Sequence, residues 1–137
     1  MIQVLLDTDV VLDFLVNRQP FAADARSIWE AGIQGRADLY VAAIPSINVF
    51  YIVRKLRDDS TARQVVSTLL RACRVCTCDH TLLLAALASP MRDYEDATQS
   101  AAAEFYQLDA IVTRNGQDYA GSNVQVLSPA ELVLRLA

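Results

Sequence analysis

Gln3-Val4-Leu5-Leu6 has the character of a buried strand and stops abruptly in Asp7-Thr8-Asp9, after which a helical apolar pattern (Val10, Val11, Phe14, Leu15) begins at once. A strand that turns through acids directly into a helix suits an open parallel sheet, where ligands bind in the crevice outside the carboxyl ends of the strands. An Asp on that edge is placed to hold a cation or to polarise a nucleophile. The same residues also suit a helix cap, because Asp accepts from free N–H groups at a helix start. From this stretch alone, capping is the simpler reading.

The alternation continues along the chain. A second helix carries Phe21, Ala25, Ile28, Trp29 and Gly32 at helical spacing and ends near Gly35. Leu39-Tyr40-Val41 reads as a second strand. Pro45 is expected as the first residue of a helix running to about Arg57, whose apolar segment Ile47 to Val53 predicts deep burial. Asp58-Asp59-Ser60 caps a helix with Val65, Val66, Leu69 and Leu70 on one stripe. Arg74 to Cys78 is a third strand, followed by a short Leu-rich helix capped by Asp79 and broken at Ser89-Pro90. An Ala-rich helix then runs to about Leu108. Ala110 to Thr113 is a fourth strand, Val124 to Leu127 a fifth, and Ser128-Pro129 opens a closing helix. Residues 1–137 therefore predict a single domain, a three-layer α/β/α sandwich around a parallel five-stranded sheet. With right-handed crossovers and the order 3-2-1-4-5, strands 1 and 4 are adjacent, and Asp7 faces Asn115 across one crevice. Asp93 and Asp96, three residues apart at a helix start, share a face toward it.

Several carboxylates in one crevice repel each other unless a positive charge sits among them. Mg²⁺ or Mn²⁺ suits such oxygen ligands and, with a water, suits phosphodiester hydrolysis. The lone His80 has no nucleophile beside it, and no Gly-rich phosphate loop follows the first strand. A net charge of -4 argues against a general basic nucleic-acid coat, although metals would offset part of the acidic cluster. Cys73, Cys76, Cys78 and His80 offer four zinc-ligand types, but within eight residues they read as packing. Asp13, Asp24, Asp38, Asp58, Asp59 and Asp109 read as surface or turn residues. No apolar run reaches the ~18 residues of a membrane span, and the N-terminus lacks a secretory pattern, so a cytoplasmic protein is expected.

Three segments together resemble the PIN-domain family, closest to its VapC-type toxins: Leu5-Leu6-Asp7-Thr8-Asp9, Asp93-Tyr94-Glu95-Asp96-Ala97, and Val112-Thr113-Arg114-Asn115-Gly116-Gln117-Asp118-Tyr119. The resemblance implies a Mg²⁺- or Mn²⁺-dependent endoribonuclease, with a cognate antitoxin and a homodimer as partners beside RNA. It makes Asp7, Asp96 and Asp118 the catalytic acids and Asp7, Asp96, Asp93 and Asp118 the metal ligands. Asp9, Thr8, Asn48, Thr113 and Asn115 take supporting roles. Arg114 is left to touch RNA phosphate or to pair with a neighbouring acid. Asn48 departs from the pattern, standing where a catalytic Glu is usual. An alternative is therefore a PIN fold with weakened catalysis, kept for binding RNA or protein. A phosphatase using Asp7 and Asp9 is a third reading, for which Lys55 is poorly placed.

Overall fold

In the computed structural model, which describes residues 1–137, five strands form one parallel sheet in the order β3-β2-β1-β4-β5. They are β1 (Ile2–Leu6), β2 (Ala37–Ala42), β3 (Arg74–Cys76), β4 (Ala110–Val112) and β5 (Val126–Leu127). The helices are α1 (Thr8–Leu15), α2 (Ala22–Ile33), α3 (Ala43–Leu56), α4 (Asp59–Ala72), α5 (His80–Leu87), α6 (Tyr94–Phe105) and α7 (Pro129–Leu136). The layering and strand order are those expected from the alternation of elements.

Alternate strand residues feed two separate cores, as the pleat requires. Val4, Leu6, Leu39, Val41, Ala110 and Val112 pack with α1, α2, α3, α4 and α7. Leu5, Tyr40, Ala42 and Ile111 pack with α5 and α6 on the other face. The alanines of α6 let that helix lie close on the sheet; Ala103 is fully buried. No helix is long and apolar enough to cross a membrane.

Three helices end in the same way. Asn17, Gly35 and Gln107 adopt positive φ just past α1, α2 and α6. In each case the two following-turn amides reach back to the last carbonyls, as Leu108 does to Ala103 and Arg18 to Asp13. Helix α6 therefore stops at Phe105, short of the expected Leu108, which is buried as the residue after the left-handed turn. The stop after α1 directs Arg18 back over its own helix.

Helix α3 departs from expectation. It starts at Ala43, and Pro45 is tolerated because the first-turn amides need no intrahelical acceptor. The segment Ile47–Val53 is not buried all round. Val49 and Val53 are enclosed, yet Ile47 is 58% and Tyr51 53% exposed, and Ile44, Ile52 and Leu56 also face solvent. The cause is one-sided cover: α3 packs on α4 and more lightly on α1 and β2, and no element lies over its outer face. Strands β3 and β5 are also shorter than expected, ending or beginning where pairing with β2 or β4 is available. Cys73 and Cys76 are buried, their thiols pushed up to about 12 by burial, while His80 is exposed. They act as small core residues.

Candidate metal and active site

The register Leu6↔Val112 carries β1 and β4 to their ends together, so Asp7 and Thr113 emerge side by side at the sheet's carboxyl edge. The Asp7 amide continues the ladder to the Val112 carbonyl at 2.9 Å. Its side chain caps α1, the simpler of the two expectations, but that is one bond of three. Oδ1 accepts from the Thr8 amide (2.7 Å) and from Nε2 of Gln99 (3.1 Å), and Oδ2 accepts from the Thr113 hydroxyl (2.8 Å). Thr113 is buried and in turn accepts from the Asn115 amide at 3.1 Å. One carboxylate is thereby fixed by three elements.

Asp9 lies beside it. Its Oδ2 accepts from the Asn115 side-chain amide (2.9 Å) and the Arg114 backbone amide (3.3 Å), whereas Oδ1 is buried without a partner. Burial, and then the charge of Asp7, push Asp9 up to about 6 despite the opposing effect of Arg114.

Asp93 caps α6 by accepting from the Asp96 amide at 2.9 Å. Asp96 sits half-buried in the first turn. Burial is the main cause that pushes it up to about 7, with repulsion from Asp93, Asp7, Asp118 and Glu95 added. These are the carboxylates that the sequence grouped, and each acts on Asp96. They do not line one depression. Asp7, Thr8, Asp9, Asn48, Asp93, Glu95, Asp96, Gln99 and Asn115 border an open cleft of about 450 Å³. Asp118 borders an adjoining one with Arg92 and Gln117, sharing Asp93 and Asp96 as the wall between.

Four contributors escape a reading of the sequence. Gln99 is 1% exposed; because the Asp7 carboxylate can only accept, its amide nitrogen must face Asp7, which leaves Oε1 buried and unpartnered. The signal was a lone amide in an alanine-rich helix, three residues after Asp96. Asp13, read as a surface residue, is 1% exposed. It accepts from Arg114 Nε (2.7 Å) and the same guanidinium's terminal nitrogen (3.2 Å), and from Arg18 Nε (3.0 Å). Of the two partners open to Arg114 the structure supplies the acid, and the guanidinium also stacks on Phe21 at 3.7 Å. Arg18 is the basic residue that borders the Asp7 cleft. Tyr119 is buried with its hydroxyl unpartnered, and burial with the charges of Asp7 and Asp96 holds its phenol well above the ordinary range.

The donor set fits a hard divalent cation. A carboxylate pushed up to about 7 by burial and then by neighbouring acids, and buried orphan oxygens on Gln99 and Asp9, suit a place where positive charge is stabilised. No three His, Cys, Asp or Glu side chains close into a ready cage. That suits Mg²⁺, which keeps several waters and takes one or two carboxylates with substrate phosphate.

A family model described as PIN domain matches residues 3–117. No curated protein matches the chain. Among solved structures, the chain is similar to the DNA-bound VapBC from Salmonella typhimurium, with 15% identity, a TM-score of 0.72, and 94% of this chain and 99% of that one covered. VapBC2 from Rickettsia felis, bound to a promoter DNA fragment, is 10% identical with a TM-score of 0.70, covering 93% and 98%. VapC20 of Mycobacterium tuberculosis, a toxin that cleaves the Sarcin-Ricin loop, is 14% identical with a TM-score of 0.70, covering 90% and 98%. At these identities the likeness concerns the fold.

Proposed function

The chain belongs to the PIN-domain family, and from that premise we propose that it is a Mg²⁺- or Mn²⁺-dependent endoribonuclease, the toxin of a toxin–antitoxin pair. The observation that carries the reading is the Asp7–Asp96 cleft: one carboxylate fixed by three donors, a second pushed up to about 7, and Gln99 beside them with its amide nitrogen on Asp7 and its oxygen buried without a partner. Bound there, the ion supplies an activated water and charge stabilisation at the phosphoryl group. Asp7 and Asp96 would hold it, with Gln99 Oε1 within the same wall. Asp93 keeps the start of α6 in place, and Asp118 adds negative charge from the adjoining cleft. Thr8, Thr113 and Asn115 orient Asp7 and Asp9. Arg18 is the cation best placed to meet RNA phosphate, while Arg114 anchors the loop after β4 on Asp13. The open apolar face of α3 (Ile44, Ile47, Tyr51, Ile52, Leu56) is of the kind that a protein partner covers, which supports an antitoxin or a second copy.

With single-stranded RNA and Mn²⁺, the wild-type chain is expected to cleave, and chelation to stop it. Asp7→Asn should lower the rate by at least about 100-fold, since metal-ion charge stabilisation is worth several kcal/mol. Cleavage that survives Asp7→Asn would sink the reading. Asn48 and the lack of a three-acid cage favour a second reading, a binding module without turnover. RNA bound but uncut at saturating Mn²⁺ would select it.

A further inference from the structure

Resting on the nuclease reading above, we propose that Glu95 of α6, held in place by Asn48 of α3, supplies the carboxylate that faces the metal from the α3 side of the cleft. Asn48 occupies a position on α3 that borders the cleft but brings no negative charge. Its amide Nδ2 donates to Oε1 of Glu95 at 3.2 Å. The two residues are 47 apart in sequence, and their helices pack on opposite faces of the sheet. The bond therefore spans the cleft mouth at the carboxyl ends of the strands. Glu95 is otherwise an exposed, flexible side chain whose ordering costs entropy. One amide donor on Oε1 restrains it and leaves Oε2 unbonded. An acid at position 48 would instead set two carboxylates against each other.

Independent evidence for a ligand on this side comes from Gln99. It lies one turn after Glu95 on the same face of α6, borders the cleft, is 1% exposed, and keeps a buried Oε1 without a partner. Helix α6 thus offers Glu95, Asp96 and Gln99 together. The other acids have duties that limit them. Asp93 caps the helix, Asp9 accepts from Asn115 and Arg114, and Asp7 holds three donors. Glu95 serves here as the acid of the α3 side, and Asn48 is a positioning residue.

The test is calorimetric titration of the full chain with Mn²⁺, alongside metal-free thermal unfolding. Glu95→Gln is expected to weaken Mn²⁺ binding by about 10–100-fold, the range seen when supporting groups of metal sites are altered, and Glu95→Asp by clearly less. The exchange variant Asn48→Glu/Glu95→Gln keeps one carboxylate and one amide in contact with their positions reversed. It should recover most of the lost affinity, as expected if one carboxylate on this side of the cleft is what the ion requires. Unchanged affinity in Glu95→Gln overturns the proposal, as does an exchange variant that melts normally yet binds no better than Glu95→Gln. Equal losses in Glu95→Gln and Glu95→Asp overturn it too, and that pair decides the matter if the exchange variant melts early. Absence of Mn²⁺ binding by wild type removes the nuclease reading itself, an outcome distinct from loss confined to the Glu95 variants.

Discussion

Asp13 illustrates how much of the site depends on a residue that touches no substrate. It is 1% exposed and holds Arg114, 24% exposed, and Arg18, 42% exposed, so one buried charge organises two cations and the loops that carry them. Removing one partner of a buried pair leaves an uncompensated charge and costs about 3–5 kcal/mol. Asp13→Asn removes the buried charge itself and leaves two arginines that reach solvent, so the loss is expected below that range, at about 1–2 kcal/mol. A urea titration would show it as a lower midpoint with an unchanged slope. A loss under about 1 kcal/mol would mean that the pair is only a surface bridge. Spacing alone gave no hint of this, since an acid between Leu12 and Phe14 on a short helix reads equally as an exposed flank. Gln99 was hidden for a related reason. Its role depends on Asp7, 92 residues away, and an isolated amide announces no partner.

At the level of elements, local pattern located the helices well and their environment poorly. Periodicity reports which residues are apolar, but not how many neighbours cover a helix. Hence Ile47 and Tyr51 are exposed on a segment that reads as core. Helix ends were also harder to read, because Asn17 and Gln107 take the left-handed turn that glycine usually marks. Gly32 makes the opposite point. Inside α2, a glycine costs about 1 kcal/mol of helix propensity relative to Ala. A Cβ there would meet Leu39 Cδ1 at 2.5 Å and Cγ at 2.9 Å, so the glycine allows α2 to lie against β2. Leu39 is 3% exposed and has little room to yield. Gly32→Ala should therefore lower stability by about 1–2 kcal/mol, overpacking outweighing the gain in propensity. Stabilisation in a thermal melt would contradict that packing.

Across the whole molecule, the βα alternation made the fold and the position of the acids legible together. Once β1 and β4 are neighbours, Asp7, Thr113 and the start of α6 must meet at one edge. What topology does not set is side-chain commitment, which sent Arg114 to Asp13 and Asp118 to the adjoining cleft. Burial of these acids, with their crowding, has a consequence for stability. Asp96 and Asp9 are raised to about 7 and about 6 from 3.8. Between pH 4 and 7 the folded chain therefore holds more protons than the unfolded one, and stability of the metal-free protein falls as pH rises through that window. Above about pH 7 the contribution levels off. Saturating Mn²⁺ should reverse the trend, because the ion binds the ionised form and adds stability by mass action. Melting curves from pH 4 to 8, with chelator and with Mn²⁺, check both signs. A flat metal-free profile would mean that burial and neighbouring charge do not raise these acids.

The decisive measurement is anomalous diffraction from a crystal of the wild-type chain soaked in Mn²⁺. A metal-dependent site predicts a strong peak in the cleft between Asp7 and Asp96, which Gln99 borders, and its absence in Asp7→Asn. Ordered density for those side chains with no peak among them, at Mn²⁺ concentrations that support cleavage, would contradict a metal-dependent nuclease centred on Asp7.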